Sequence, residues 1–260
     1  MLTFPQELVD EVIDKLAEPE PSRPYAPLDI SRYSLVSKSW LDRTQKHHFA
    51  HVTFNDPGKM DKWVASIDAN NFGVSKHVRT LTLSSIESLE GFQNHIRALT
   101  GVKTVQVWDC PLFKSPGQVQ ILKEGLGKNL VNLELVGTET TSEIMVSLLA
   151  GLPELCTLHA TSLMVDEPNQ DAPAPPAERI PFFESGKGHF KVSLGSPARS
   201  GQFSWVPPTA KLSRVGLAAD DVPYNLEFVN RLVSSSGETL TDFILGEEPG
   251  GTCFDIPNTK

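Results

Sequence analysis

From residue 78 onward one apolar template returns at a nearly fixed interval, and units of this kind bury their apolar side only by stacking on one another. The copies are Val78-x-x-Leu81-x-Leu83, Val102-x-x-Val105-x-Val107, Leu130-x-x-Leu133-x-Leu135, Leu155-x-x-Leu158-x-Ala160, Leu212-x-x-Val215-x-Leu217 and Leu240-x-x-Phe243-x-Leu245. Their middle apolar positions advance by 24, 28, 25, 57 and 28 residues. A step of 57 hides one further copy, and the alternating segment Phe190-Lys191-Val192-Ser193-Leu194 is its expected strand.

Between the strand signals, apolar spacing predicts helices over residues 86–99, 118–130, 142–152 and 225–234. A strand and then a helix in each period is the pattern of an irregular leucine-rich-repeat-like solenoid, so the expected fold class is α/β. Only Val102-x-x-Val105-x-Val107-x-x-Cys110-x-Leu112 matches the full repeat consensus, with Cys110 filling its turn position. The equivalent positions elsewhere are Ile86, Thr138, Leu163 and Asp220, which makes the repeats degenerate. No polar capping repeat follows residues 240–245, and we expect an open end there or a longer parent chain.

The first 77 residues read differently. Leu8, Val9, Val12, Ile13 and Leu16 line one side of a predicted helix over residues 5–17, with Thr3 and Gln6 forming a capping box and Pro5 in the first turn. A second helix is predicted over 28–41 from Ile30, Tyr33, Val36 and Trp40, and a third over 59–72 from Met60, Trp63, Val64 and Ile67. Pro19, Pro21, Pro24 and Pro27 put a loop between the first two. Five prolines between Pro168 and Pro181 mark an exposed excursion over 166–181. The expected organisation is a helical module at 1–55, a connecting helical segment at 56–77 and the repeats at 78–260.

Charge and cysteine usage narrow the partners. A formal charge of -9 without a basic stripe in the sequence disfavours a nucleic-acid backbone as partner. The apolar runs are too short for a bilayer span, so no membrane partner is expected, and the acidic start lacks the order of a secretory signal. Cys110, Cys156 and Cys253 are few and far apart, which fits a reducing cytoplasmic or nuclear compartment.

Candidate chemistry is sparse. His47-His48-x-x-His51 has close imidazoles but no zinc-like partner spacing and runs into the strand-like Val52-Thr53-Phe54, so we read it as a helix end. Cys156 and His159 lack an orienting carboxylate, and Gly186-Lys187-Gly188 and Gly125-Leu126-Gly127-Lys128 lack the spacing of phosphate-binding loops. The chain is therefore expected to be neither an enzyme nor a cofactor carrier. The polar positions that alternate with the inward ones are more informative. They place Thr80, Thr82, Gln106, Trp108, Asn132, Glu134, Thr157, His159, Arg214 and Asp242 on the concave side of the expected sheet. A polar surface with one large aromatic suits protein recognition, although Trp108 would equally serve to cover a neighbouring repeat.

The N-terminal residues carry a resemblance. Phe4-Pro5-Gln6-Glu7-Leu8-Val9-Asp10-Glu11-Val12-Ile13-Asp14-Lys15-Leu16, followed by Tyr33-Ser34-Leu35-Val36-Ser37-Lys38-Ser39-Trp40, resembles an F-box. The continuation His48-Phe49-Ala50-His51-Val52-Thr53-Phe54, the Trp63 helix and Val78-Arg79-Thr80-Leu81-Thr82-Leu83 look like the large F-box families of mushroom-forming fungi. The resemblance covers residues 3–83. It implies a substrate receptor of a Skp-cullin-F-box ubiquitin ligase, with Phe4, Pro5, Leu8, Val9, Ile13, Leu16, Leu35, Val36 and Trp40 shared between docking the Skp-type adaptor and the module's own core. The cullin would be reached through that adaptor. The target would lie on the concave face, at Thr82, Gln106, Trp108, Asn132, Glu134, His159 and Arg214. Phe4 stands where the motif usually has Leu, and 18 residues separate Leu16 from Leu35. The alternative is a leucine-rich-repeat protein-binding scaffold with no ubiquitin role, its N-terminal helices serving as a cap.

Overall fold

The computed structural model describes residues 5–17, 30–70, 73–166, 179–194, 203, 205–218, 226–246 and 253–255. Phe4, the capping residue Thr3, the prolines at 19–27, residues 167–178 of the excursion, and Asp220 lie outside them. In chain order the elements are α1 (Gln6–Ala17), α2 (Lys38–His48), β1 (His51–Phe54), α3 (Pro57–Asn70), β2 (Thr80–Ser84), α4 (Gln93–Ala98), β3 (Thr104–Trp108), α5 (Pro116–Leu126), β4 (Asn132–Val136), β5 (Glu139–Thr141), α6 (Ser142–Ala150), β6 (Thr157–Asp166), α7 (Pro181–Glu184), β7 (Gly188–Leu194), β8 (Leu212–Ala218), α8 (Leu226–Ser236), β9 (Asp242–Gly246) and β10 (Cys253–Asp255). No described helix is long and apolar enough to cross a membrane.

The strands form one mixed α/β sheet that grows in chain order, β1-β2-β3-β4-β6-β7-β8-β9-β10, with β5 paired to the end of β6. Every pairing from β1 to β9 is parallel, and β10 returns antiparallel on β9. The apolar template sets the register. Leu81, Val105, Leu133, Leu158, Phe190, Val215 and Phe243 lie opposite one another in successive strands. So do Leu83, Val107, Leu135, Ala160, Val192, Leu217 and Leu245. A slip of one residue would turn these rows to water, which is why the repeat spacing fixes the pairing. The concealed copy is β7, in the segment the alternation indicated.

Two backbone devices recur with the template. At strand starts, one carbonyl accepts two successive N–H groups of the next strand: Ala50 takes Arg79 and Thr80, Arg79 takes Lys103 and Thr104, Lys103 takes Val131 and Asn132, and Val131 takes Cys156 and Thr157. Ser85, Asp109 and Gly137, just past their strands, and Ser162, at the register shift inside β6, all have positive φ, between 49° and 59°. Three of them, Ser85, Asp109 and Gly137, donate their N–H to the carbonyls of Trp108, Val136 and Thr161 on the next strand. The ladder includes Ala50, so β1 is built as a member of the series. His51–Phe54, expected within the helical module, is instead the first strand of the sheet, and Phe49-x-x-Val52-x-Phe54 fits the same template.

One apolar core runs from Val52 to Leu232 beneath the inward rows. Phe54, Trp63 and Phe92 meet edge to face, 5.3–6.0 Å between ring centres, and hold α3 and the α4 region against β1. Among the described residues before β7 the helix is the one-turn α7, and beside it Phe183 and Trp205 pack on Phe190 at 6.2 and 5.8 Å.

The N-terminal helices form a separate small core. Val9 and Ile13 are buried but do not join the main cluster. Gln6 Nε2 donates to the Ser39 carbonyl, and Asp14 holds Arg43 and His47, so α1 and α2 run in the same direction. Parallel neighbours cannot be joined by a tight turn; the chain must travel back the length of a 12-residue helix, about 18 Å. The connection from Ala17 to Lys38 is long enough for that return. The predicted single helix over 28–41 is corrected: Ile30–Leu35 is a 3-10 turn, and α2 starts only at Lys38. Ser37 breaks the continuity because it is the N-cap, its side chain accepting the Trp40 N–H at 3.4 Å.

Candidate protein-interaction sites

Two surfaces emerge, one apolar on the N-terminal helices and one polar on the sheet. In α1 the pairs Leu8-Val9 and Val12-Ile13 are both apolar, giving an apolar stripe wider than α2 covers. Val9 and Ile13 turn inward, Ile13 being 1% exposed. Leu8 and Val12, one turn apart on the adjoining line, stay in solvent, Leu8 at 45%. Leu35 is 87% exposed, and Val36 and Leu41 are exposed too. Five of the eight large hydrophobic residues left exposed among the described ones fall within these 41 residues. The Gln6 bond to Ser39 holds the start of α1 against the start of α2, which puts Leu8 at the same end as the Leu35-Val36 turn.

The residues carried by the F-box resemblance thus separate. Pro5, Leu8, Leu35 and Val36 face water, Leu16 and Trp40 are half-buried, and Trp40 packs on Tyr33 at 6.3 Å. Val9 and Ile13, left open by the resemblance between docking and core, are buried and so face the core of the helix pair. Val12 and Leu41 belong to the exposed set and were missed. The signal for Val12 was its position one turn beyond Leu8.

An ion cluster fixes this helix pair. Arg43 makes a two-pronged contact with Asp14, with Nε donating to Oδ1 at 2.6 Å, and His47 Nε2 lies 2.7 Å from the same oxygen. The Arg43 hydrogen bond, with help from His47, holds the Asp14 carboxyl down at about 2. The three clustered histidines diverge: His47 is on Asp14, His48 packs edge-on against Phe49, and His51 is exposed on β1. Among the described residues no three His, Cys, Asp or Glu side chains are arranged to hold a metal.

The polar side of the sheet carries two ordered rows. One runs Thr53, Thr82, Gln106, Glu134, His159, Lys191 and Gly216. The other runs Thr80, Thr104, Asn132, Thr157, His189 and, on β8, Arg214, which pairs with Asp242. The Thr82 hydroxyl donates to Gln106 Oε1 at 2.8 Å, and Gln106 Nε2 donates to Glu134 Oε2 at 2.6 Å. Asn132 Nδ2 donates to Thr104 Oγ1 at 3.1 Å, and His159 lies 3.2 Å from the Thr161 hydroxyl. Arg214 meets Asp242 through Nε at 2.9 Å and Nη2 at 2.8 Å, and that bond lowers the Asp242 carboxyl. Trp108 stands above the Gln106 row at 39% exposure.

Gln106, Asn132, Glu134, His159 and Arg214 are therefore accessible in part, as the alternation indicated. Thr82 is corrected: at 5% exposure, with its hydroxyl committed to Gln106, it supports the row from below instead of meeting a target. His189 and Lys191, both exposed, were missed. The inward Phe190 and Val192 already dictated them by alternation. They also change the charge picture, since strand register gathers basic residues that the linear sequence scatters.

Neither Cys110 nor Cys156 stands in a catalytic arrangement among the described residues. Cys110 Sγ accepts the Ile86 N–H at 3.2 Å and lies 3.3 Å from the Trp108 carbonyl, while burial pushes its thiol up. Thr138 repeats the second contact from the same turn position, its hydroxyl donating to the Val136 carbonyl at 3.3 Å. Cys156 is exposed and bonds weakly to the Glu154 carbonyl, not to His159. Comparison of the chain with models of known protein families gives no match, and comparison with curated proteins gives none either.

Proposed function

We propose that the chain is the substrate-recognition subunit of a Skp-cullin-F-box ubiquitin ligase, non-catalytic itself. In this reading the N-terminal helices are the F-box, the repeats form a leucine-rich-repeat-like solenoid, and the polar side of the sheet receives the target. The observation that carries it is the uncovered apolar set Leu8, Val12, Leu35 and Val36, on the two segments whose sequence resembles an F-box, with Leu41 directly after them. A helix pair that has its own core in Val9 and Ile13 has no internal use for these side chains. An apolar groove on a helical adaptor would remove them from water, at about 25 cal/mol per Å2 of apolar surface covered.

The scaffold alternative draws on one observation. The C-terminal end of α2 leads directly into β1, and the Ala50 carbonyl starts the strand ladder, so the helices also adjoin the first strand as a cap would. A cap, however, gains nothing from leaving Leu35 and Val36 in solvent. The test is titration of the purified chain with a fungal Skp-type adaptor. Wild type is expected to form a one-to-one complex, and Leu8→Glu or Val36→Glu, both at exposed positions, to weaken it at least about tenfold with unchanged circular dichroism. A folded wild type that does not bind overturns the ligase reading.

A further inference from the structure

We infer that the segment received on the sheet is an extended acidic stretch of protein, held by His159 of β6, His189 and Lys191 of β7 and Arg214 of β8. The inference rests on the polar side of the sheet being the recognition surface, and is independent of whether the helices dock an adaptor.

The register brings the four together. His159 is opposite Lys191, and His189 is opposite Arg214. His189 and Lys191 are two apart on one strand and share its outer side. With neighbouring strands about 4.8 Å apart, all four side chains start from a patch about 10 Å wide. On β3 and β4 the same two rows carry Thr104, Gln106, Asn132 and Glu134, none of them cationic. Two of the chain's 23 Lys and Arg residues, Lys191 and Arg214, thus stand beside two histidines on one part of this surface.

The patch is available to a ligand. Lys191 is exposed and makes no hydrogen bond or ion pair among the described residues; beside it Gly216 has no side chain, and a Cβ there would meet Lys191 Cγ at 3.1 Å. Arg214 uses Nε and Nη2 on Asp242, which fixes the guanidinium and leaves Nη1 uncommitted. Imidazoles offer an N–H donor in either charge state. The flanking carboxylates are already engaged, Glu134 by Gln106 and Asp242 by Arg214 and Thr241, and they set the borders of the anionic site. Across the patch itself fit about three residues of extended chain, at about 3.4 Å per residue. Trp108 lies three strands from Lys191 and one row higher, about 16 Å away by strand spacing and rise. A bound peptide would therefore place an apolar residue on Trp108 about five positions from its acidic run.

The test is fluorescence anisotropy of the full chain with a labelled Gly/Ser peptide carrying one Leu and, five residues later, Glu-Glu-Glu. Control probes carry Gln-Gln-Gln or Lys-Lys-Lys, and a labelled single-stranded oligonucleotide is a fourth. The Glu probe is expected to bind at least tenfold more tightly than the Gln probe and to weaken between 50 and 300 mM salt, roughly as screening of an exposed charge contact requires. Lys191→Glu should abolish the preference, and Trp108→Ala should weaken the Glu probe about fivefold or more, each with unchanged circular dichroism. No binding of the Glu probe, equal binding of the Glu and Gln probes, preference for the oligonucleotide, or an unaffected Lys191→Glu variant overturns the inference. Adaptor binding measured on the same Lys191→Glu sample is expected to match wild type, so failure of the acidic-segment inference and failure of the ligase reading give different results.

Discussion

Ser85, Asp109, Gly137 and Ser162 show how much the repeat asks of single residues. Each takes a left-handed backbone directly after the core of its strand, a conformation that costs a non-glycine residue about 1 kcal/mol or more. Only Gly137 meets the demand without strain, and it also makes room for Asp109, whose Oδ1 would lie 2.1 Å from a Cβ there. Gly137→Ala is expected to destabilise the protein by about 1–3 kcal/mol, read from urea unfolding, whereas Ser162→Gly should leave it unchanged or slightly stabilised. Asp14 provides a pH readout. Its carboxyl titrates lower in the folded chain, at about 2, than its ordinary value of 3.8, so its contribution is complete above about pH 5 and disappears as pH falls toward 2. Asp14 is 39% exposed, so water screens the contact and about 1 kcal/mol is the ceiling. The stability gap between wild type and Asp14→Asn should close as pH falls from about 5 toward 2.

At the scale of the element, α1 was legible as an amphipathic helix, but its inward line was not. Leu8 and Val9, like Val12 and Ile13, are adjacent apolar residues, and only the position of α2 decides which of each pair is covered. Ile13→Ala should cost about 2–4 kcal/mol in thermal or urea unfolding, and Leu8→Ala less than about 0.5 kcal/mol, even though a pattern reading ranks them alike. The second helix was misread for a related reason. Ile30, Tyr33 and Val36 keep helical spacing through a 3-10 turn, and the break at Ser37 depends on a side-chain-to-backbone bond that periodicity does not report. The strands were read more faithfully because burial on one side leaves a period of two that a single residue cannot disguise.

For the whole molecule, the template located the strands, their order and the concealed copy, so most of the sheet could be read from the sequence. What escaped was collective. β1 was absorbed into the helical module because it follows α2 without a break, and the basic patch was invisible because its members are spread from residue 159 to residue 214 and meet only through register. The protein presents two separate surfaces, one apolar on the helices and one polar on the sheet, which the proposed function assigns to an adaptor and a target. The most direct test is amide hydrogen exchange of the full chain, alone and with a Skp-type adaptor. The account predicts added protection over residues 6–17 and 33–41 with the strands from β3 to β8 unchanged; added protection concentrated on those strands, or none anywhere, would contradict it.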